Sequence, residues 1–350
     1  MISLLELGLA FSALGLSLIL TGLMRRYALN RSLLDLPGRR SSHTTPTPSA
    51  GGLGIVLTFF LLLSAGALAG RVTPELFLAL IGAGGLVAGV GLLDDHRPLP
   101  AGIRLACHFA AAGWALLWLA PLPSATVLGI PLLAGWPGFV IALVGLVWTL
   151  NLYNFMDGID GLAGLQAISV SLGMLLLAYL AGANGAWVVT TLLVMAASAG
   201  FLFWNIPKAR IFMGDVGSGF LGLVMGILAL SAAQQAPEFL WAWLILMGVF
   251  VVDATVTLAR RLIGGEKIFQ AHRTHAYQRL ARHWRSHLRV SVAVTVINLL
   301  GLLPLAAAVA LEWLNGPVTL TLAYALLTSL VLAVGAGRPV AGQVQKDRLG

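Results

Sequence analysis

The sequence predicts an all-α, polytopic membrane protein in which about eleven helices form a bundle. The chain has 350 residues, of which 59% are hydrophobic and only 10% are charged, whereas a soluble domain is typically about a quarter charged. Apolar runs near or above the roughly 18 residues needed to cross a bilayer recur throughout. They cover about 3–22, 51–70, 76–93, 105–121, 136–152, 161–181, 187–204, 213–233, 239–259, 290–311 and 317–337. The run at 105–121 is the weakest, so ten spans would also fit.

The first apolar run resembles a signal peptide, but its flanks favour a retained helix. No basic region precedes the apolar core, and Arg25 and Arg26 follow it instead. No soluble domain, repeat or low-complexity linker separates the runs. Residues 1–350 are therefore expected to form one membrane domain.

The positive charges of the chain lie on one side of the predicted membrane. With eleven spans the loops alternate between two sides, and every Lys and Arg except Arg71 belongs to the odd-numbered loops. The positive-inside rule places these loops in the cytoplasm and the N-terminus outside. The net charge of +8 therefore suits membrane lipids and anionic substrates rather than nucleic acid.

Six carboxylates on this basic side lie within or close to apolar runs. They are Asp94, Asp95, Asp157, Asp160, Asp215 and Asp253. Ionisable groups at that depth are costly and usually face a polar cavity or a partner. Converging carboxylates also repel one another unless a cation or a basic side chain lies among them. We therefore expect a shared site on the cytoplasmic face.

The segment NLYNFMDGIDGLAG, residues 151–164, carries four polar side chains at intervals of three. Asn151, Asn154, Asp157 and Asp160 would lie close to one face if the helix continued through them. The alternative is that Asp160 caps the following helix. A cap explains the presence of one carboxylate between two apolar runs, but not the presence of the other three polar groups.

Two further motifs place carboxylates at helix ends. In GLLDDHRPL, Asp94 and Asp95 project about 100° apart, so one can face a cavity while the other holds a neighbour. The alternative is an interface cap with Arg97. In IFMGDVGSGFLG, Asp215 lies at a glycine-rich helix start, which suits anions and a Mg²⁺ bridge to phosphate. Its alternative is again a simple cap.

The longest predicted cytoplasmic loop contains HRTHAYQ. His272, Arg273 and His275 are compact enough to bind a diphosphate. A zinc site is less favoured, because no Cys or further nearby carboxylate completes a ligand set. Upstream, Asp253 either serves the site or pairs with an arginine at 260–261.

The first loop, LDLPGRRSSHTTPTPSAGGLGI, is basic and punctuated by Pro and Gly. Its Arg39, Arg40 and His43 are candidates for phosphate contacts or ordinary anchoring charges at the membrane surface.

In this order, the motifs PTP…GG, DD, NxxNxxDGxDGL, FMGDxGS and the His-containing loop resemble one superfamily, from about Asp35 to Gln278. It is the polyprenyl-phosphate N-acetylhexosamine-1-phosphate transferase superfamily. Its members include phospho-N-acetylmuramoyl-pentapeptide transferases and the undecaprenyl-phosphate N-acetylglucosamine-1-phosphate transferases of O-antigen and teichoic acid synthesis.

The resemblance implies roles for individual residues. It implies a Mg²⁺ site at Asp215, with Mn²⁺ as a substitute. The residues expected to be catalytic are Asp94, Asp95, Asp157 and Asp160. Those expected to bind substrate are Asn151, Asn154, Arg39, Arg40, His43, His272, Arg273 and His275.

The activity implied is transfer of N-acetylhexosamine-1-phosphate from a UDP-sugar to undecaprenyl phosphate, with release of UMP, in the bacterial plasma membrane. HRTHAYQ departs from the His-rich motif of the pentapeptide branch and is closer to the O-antigen and teichoic acid branch. The sugar stays open among GlcNAc, FucNAc and QuiNAc, and assembly as a homodimer also stays open. Ser49 stands where a basic residue is expected after PTP.

Three alternatives accompany this interpretation. The first is a phospho-N-acetylmuramoyl-pentapeptide transferase. The second is an ion-coupled transporter in which the acids form an ion path, although transporters often show internal repeats and binding sites at the midplane. The third is an inactive scaffold, in which substitution of Asp157 or Asp215 would have no effect.

Overall fold

The predicted class, a polytopic membrane bundle of α-helices, is confirmed. A computed structural model describes residues 3–36, 45–266 and 272–338. Within these ranges nine helices are long and apolar enough to cross a membrane, or ten if one bent pair counts as a span. The helices are α1 Leu4–Asn30, α2 Leu53–Leu68, α3 Pro74–His96, α4 Ala101–Trp118, α5 Gly135–Met156, α6 Leu162–Leu180, α7 Ala186–Asn205, α8 Asp215–Gln235, α9 Glu238–Leu246, α10 Gly248–Ile263, α11 Ala276–Trp284, α12 His287–Val296, α13 Leu303–Ala310 and α14 Gly316–Val334.

The bent pair corresponds to the predicted run at 239–259, where α9 and α10 meet at an angle of 66°. The break falls at Met247, and a Cβ on the next residue, Gly248, would lie 2.9 Å from the Leu327 side chain of α14. A second irregularity is the π-helical turn Ile297–Leu302 between α12 and α13. Hydropathy alone located these runs as single spans and gave no sign of either feature.

Local sequence explains where the site-bearing helices begin and end. Thr73 caps α3 by accepting the Leu76 N–H, with Pro74 at the first helical position. At its other end, α3 stops two residues before Pro98, whose ring is incompatible with a continuing helix. Asp94 and Asp95 are thereby held in the last turn of α3.

The centre of the bundle is α8, which is buried along almost its whole length. Small residues let its neighbours approach closely, as is common between membrane helices. A Cβ on Gly222 would lie 2.5 Å from the Thr149 carbonyl of α5, and one on Gly226 would lie 2.6 Å from the Leu146 side chain. Asp215, the first residue of α8, is consequently fixed in the middle of one end of the bundle.

Two short antiparallel ladders connect the helices. In the first, β1 Leu34–Asp35 pairs with β2 Thr47–Pro48. This first ladder lies beside the FMGD segment, residues 212–215. The Phe212 N–H donates to the Pro48 carbonyl, and the Gly51 N–H donates to the Phe212 carbonyl, both at 2.8 Å. The second ladder joins β3 Thr126–Val127 to β4 Ile130–Pro131.

Candidate active site

The start of α8 is capped from the side by α3. Asp95 accepts hydrogen bonds from the backbone N–H groups of Asp215 at 2.9 Å and Val216 at 3.2 Å. The backbones can come this close because a Cβ on Gly91 would lie 2.6 Å from the Asp215 carbonyl, and because Gly214 adopts a φ of +75°. Asp95 thus pairs N–H groups that a helix start leaves unsatisfied. The structure gives it a positioning role toward Asp215.

Asp94 and Asp215 are joined by Arg104, a residue that sequence reasoning missed. Arg104 Nη1 donates to Asp94 Oδ2 and, at 3.2 Å, to Asp215 Oδ2. Asp94 also accepts the Leu99 N–H. The available signal was an arginine beside the weakest apolar run, shortly after the paired acids. Its charge offsets two carboxylates that would otherwise repel each other.

The amides of NLYNFMDGIDGLAG make different contacts. Asn154 Nδ2 donates to Asp215 Oδ1 at 2.8 Å and to Ser218 Oγ at 3.1 Å, so it fixes the orientation of the Asp215 carboxylate. Asn151 donates to a carbonyl of its own helix. The expectation that all four polar groups share a helix face is wrong, because α5 ends at Met156.

Asp157, immediately after α5, is a half-buried carboxylate. The described part of the chain provides it with neither a hydrogen bond nor an ion pair. Burial raises the pKa of Asp157 well above its usual range, and the negative charges of Asp215, Asp95 and Asp160 raise it further. A cation beside Asp157 would favour its ionised form.

Asp160 is buried and already engaged. One carboxylate oxygen lies 3.2 Å from His287 Nδ1, and the other accepts the Ala209 N–H at 3.1 Å. Its backbone carbonyl accepts the Ser291 hydroxyl at 2.9 Å. The alternative that Asp160 caps α6 is wrong, because the cap residue is Gly161, with a φ of +78°. Asp160 ties the start of α6 to α12 and to the segment after α7.

Asp253 holds the HRTHAYQ segment in place. It accepts the N–H groups of Ala276 at 2.9 Å and Tyr277 at 3.0 Å, and it lies 3.4 Å from His275 Nδ1. Asp253 therefore caps α11 from α10. The suggested pairing with an arginine at 260–261 is wrong, because within the described residues both arginines contact other groups.

His272 stacks on His275, with the ring centroids 4.8 Å apart. Burial lowers the pKa of His272 to about 3, and the positive charges of His275 and Arg261 lower it further. The His272 ring is therefore neutral at physiological pH and offers a hydrogen bond rather than a charge. Arg273 is not among the residues that line the cavity of the two histidines, and a diphosphate site of all three residues stays a prediction.

Two cavities of different polarity meet at this end of the bundle. The apolar cavity, of about 450 Å³, has a mostly hydrophobic wall that includes Val87, Val90, Leu105, Val147, Trp148 and Leu258. The polar cavity, of about 300 Å³, is lined by residues that include Asp35, Ser49, Asp157, Asp160, Asn205 and His287. Asn154, Asp215 and Gln278 line both cavities. These three side chains form a shared wall between the two compartments.

The polar side chains of the apolar cavity were only partly foreseen. Asn151, His272 and His275 were predicted to bind substrate, and all three line this cavity. Arg104 and His108 line it as well, although no motif marked them. The first-loop candidates Arg39, Arg40 and His43 lie outside the described residues.

Two carboxylates of the polar cavity are the candidate ligands for the Mg²⁺ that the sequence predicts. Among the described residues, no group of three or more His, Cys, Asp or Glu side chains is arranged to hold a metal ion. Mg²⁺ is usually bound by one or two carboxylates together with water and substrate phosphates. The unpaired carboxylate of Asp157 lines the polar cavity together with that of Asp215. This oxygen pair fits such an ion.

Comparison with known sequences decides the family. The model of glycosyl transferase family 4 matches residues 77–233, from within α3 to near the end of α8. A probable undecaprenyl-phosphate N-acetylglucosaminyl 1-phosphate transferase of Bacillus subtilis (strain 168) is 30% identical over 311 residues, covering 85% of this chain and 84% of the relative. The chain belongs to the polyprenyl-phosphate N-acetylhexosamine-1-phosphate transferase superfamily.

Other relatives represent two activities. A decaprenyl-phosphate N-acetylglucosaminephosphotransferase of Mycobacterium tuberculosis is 30% identical over 307 residues, covering 78% of this chain and 75% of the relative. A phospho-N-acetylmuramoyl-pentapeptide-transferase of Symbiobacterium thermophilum is 31% identical over 287 residues, covering 75% and 83%. The chain is thus a multi-pass membrane enzyme of the sugar-phosphate transferase class.

Proposed function

We propose that this transferase moves N-acetylhexosamine-1-phosphate from a UDP-sugar to undecaprenyl phosphate and releases UMP. The proposed setting is the bacterial plasma membrane, with the site on the cytoplasmic face and the N-terminus outside, because the basic loops would lie on that face. One observation carries the proposal. Two cavities of different polarity share the side chains Asn154, Asp215 and Gln278. A lipid phosphate and a soluble nucleotide sugar need two such compartments that meet.

The apolar cavity suits the acceptor. Its wall reaches the outer surface of α4, where Leu105 is 38% exposed, so a lipid chain has a lateral route to it. Arg104, whose other nitrogens make no contact with described residues, and the neutral ring of His272 supply hydrogen-bond donors to a phosphate. The phosphate would then lie beside the shared wall.

The polar cavity suits the donor. Its lining of carboxylates, Asn205 and Ser49 offers many acceptors to sugar and ribose hydroxyl groups. The diphosphate of a UDP-sugar is itself anionic, so it can bind among these carboxylates only with a compensating cation.

Mg²⁺ is the proposed cation, with Mn²⁺ as a substitute. Asp157 and Asp215 would hold it, because both are carboxylates on the polar cavity and Asp157 has no other partner within the described residues. Such an ion neutralises charge that develops on transferring phosphoryl groups. Asp160 is the poorer ligand, because its side chain is only 11% exposed whereas that of Asp215 is 35% exposed.

The chain's own side chains orient the two reactants. An oxygen of the acceptor phosphate attacks the β-phosphorus of the donor, the bond from that phosphorus to the bridging oxygen breaks, and UMP leaves with that oxygen. The acceptor phosphate needs no strong base, because its second pKa lies near neutrality. Asn154 and Asp95 hold Asp215, and Arg104 links it to Asp94. An alternative two-step route would pass through a phosphorylated aspartate.

A phospho-N-acetylmuramoyl-pentapeptide transferase is the second candidate, supported by the relative from Symbiobacterium thermophilum. The departure of HRTHAYQ from the His-rich motif favours instead the branch that starts O-antigen or teichoic acid synthesis. A transporter is less favoured, because the candidate acids gather at one end of the bundle rather than at its middle.

The test is UMP release by the purified protein with undecaprenyl phosphate and a panel of donors. The panel contains UDP-GlcNAc, UDP-FucNAc, UDP-QuiNAc and the UDP-MurNAc-pentapeptide, with UDP-glucose as a control lacking the N-acetyl group. We expect release that requires the lipid, a divalent cation and a UDP-HexNAc without the peptide. Release only with the pentapeptide donor would select the second candidate. No release with any donor, together with ion flux in vesicles, would select transport.

A further inference from the structure

The wall that α4 contributes to the apolar cavity carries a histidine, His108, that makes no hydrogen bond with the described residues. His108 lines the cavity, and its Nδ1 is enclosed without a hydrogen-bond partner in the described part of the chain. An enclosed polar atom without a partner costs free energy. His108 therefore does not stabilise the ligand-free bundle through Nδ1. Its Nε2 is not enclosed in this way and makes no hydrogen bond with the described residues, so a ligand in the cavity is the natural partner for Nε2.

The surroundings of His108 indicate what kind of ligand this is. Arg104 lies four residues earlier, so both side chains project from the same side of α4, with His108 about 6 Å deeper along the helix axis. Arg104 binds Asp94 and Asp215 through Nη1 alone. The adjoining wall is hydrophobic, with Val87 and Trp148 among its residues. A pair of donors in an apolar wall fits an anionic group attached to an apolar chain.

We propose that His108 binds the acceptor lipid, donating a hydrogen bond to its phosphate from the side of the apolar chain. Arg104 contacts the same phosphate from the side of Asp94 and Asp215. The ligand class is a phosphate monoester of a long apolar alcohol, so this inference rests on the proposed function. His108 sets the depth at which the phosphate stops, and it thereby places the attacking oxygen beside the shared wall of Asn154, Asp215 and Gln278.

Two variants test this contact. His108→Leu removes both ring nitrogens and changes the volume little, whereas His108→Gln keeps a side-chain N–H donor. His283→Leu is the matched control, because His283 is exposed on α11 and lines neither cavity. Steady-state kinetics give separate KM values for undecaprenyl phosphate and the UDP-sugar. Thermal unfolding is measured without lipid, with undecaprenyl phosphate, and with undecaprenol, which lacks the phosphate.

We expect His108→Leu to raise the KM for undecaprenyl phosphate about ten-fold or more, as loss of a hydrogen bond to a charged group does. The donor KM should stay within about two-fold, whereas kcat should fall, because the attacking oxygen would no longer be held beside the shared wall. Without lipid, the melting temperature should not fall, because an unpaired polar atom has been removed. His108→Gln should keep the acceptor KM within about three-fold of the unmodified enzyme, and His283→Leu should match it.

The proposal is overturned if His108→Leu leaves the acceptor KM unchanged, or if His108→Gln is as impaired as His108→Leu. A lower melting temperature with both KM values intact would assign His108 a structural role instead. If the unmodified protein releases no UMP with any donor, the proposed function fails. Thermal unfolding with lipid still tests the His108 contact in that case. Undecaprenyl phosphate, but not undecaprenol, should raise the melting temperature of the unmodified protein. His108→Leu should remove that rise.

Discussion

The apolar and polar cavities are built from different kinds of structure. Helix faces of α3, α4, α5, α8 and α10 form most of the apolar cavity, whereas loops and helix ends form most of the polar one. Both end at Asn154, Asp215 and Gln278. A substitution in the shared wall should therefore disturb both reactants, and one farther away should disturb only one. The predictions below test this division, from the largest effect to the smallest.

The largest effect is expected at the two carboxylates proposed to hold Mg²⁺. Asp157→Asn and Asp215→Asn keep the side-chain shape and remove the negative charge. We expect each to lower kcat by about 10³-fold or more, because the charge of the transferring phosphoryl group would no longer be offset. Activity assays and titration with Mg²⁺ measure this. Glu75→Gln, at the exposed first turn of α3, serves as the control, and near-normal activity of Asp157→Asn would remove Asp157 from the site.

The next effect concerns Arg104, which joins Asp94 to Asp215 across the edge of the apolar cavity. Arg104→Gln leaves these two carboxylates without their cation, and we expect kcat/KM to fall about 10²-fold. Arg104→Lys should recover part of this, since it keeps the charge but not the planar geometry. Arg97→Gln, with an exposed side chain after α3, is the control. Equal activity of Arg104→Gln and Arg97→Gln would show that the bridge is only structural.

The assignment of one substrate to each cavity can be tested by filling each cavity with a larger side chain. Val90→Phe adds bulk to the apolar cavity, and Ser49→Phe adds bulk to the polar cavity. We expect Val90→Phe to raise the KM for undecaprenyl phosphate about ten-fold and Ser49→Phe to raise the KM for the UDP-sugar by a similar factor. Melting temperatures identify any loss of stability from overpacking, which typically costs about 1–3 kcal/mol. Variants that shift both KM values together would contradict the assignment of substrates.

The fold could be predicted largely because lipid imposes a length and a polarity on each helix. Hydropathy found every run that the bundle uses, including the weakest at 105–121. It could not find the 66° bend at Met247 or the π-helical turn before α13. Both depend on how α14 and the inner helices pack, and that information is not local.

The site could be predicted only in part, because much of it also depends on how the helices pack. Asp215 and Asn154 were both marked by motifs, and their side chains are in contact. Arg104 and His108 carried no motif, because their relevance depends on which face of α4 meets the cavity. The Asp95 cap on α8 and the Asp160–His287 contact join residues over a hundred positions apart. Such pairs become visible only when the helices are assembled.

The smallest expected effect is a pH dependence of stability caused by His272. It tests whether water is excluded from the apolar cavity, as its hydrophobic walls indicate. Burial there lowers the pKa of His272 to about 3, whereas an unfolded histidine titrates near 6.5. Between these values the unfolded chain binds a proton that the folded chain does not, so stability should fall as the pH drops below about 6.5. Because His272 is partly exposed, we expect this contribution to be about 1 kcal/mol between pH 7 and 5.

His272→Gln should lessen the fall in melting temperature over this range, while His283→Gln, on the exposed side of α11, should not. If His272→Gln and the unmodified protein lose stability equally, the His272 ring is hydrated, and the cavity around it is wetter than its hydrophobic lining suggests.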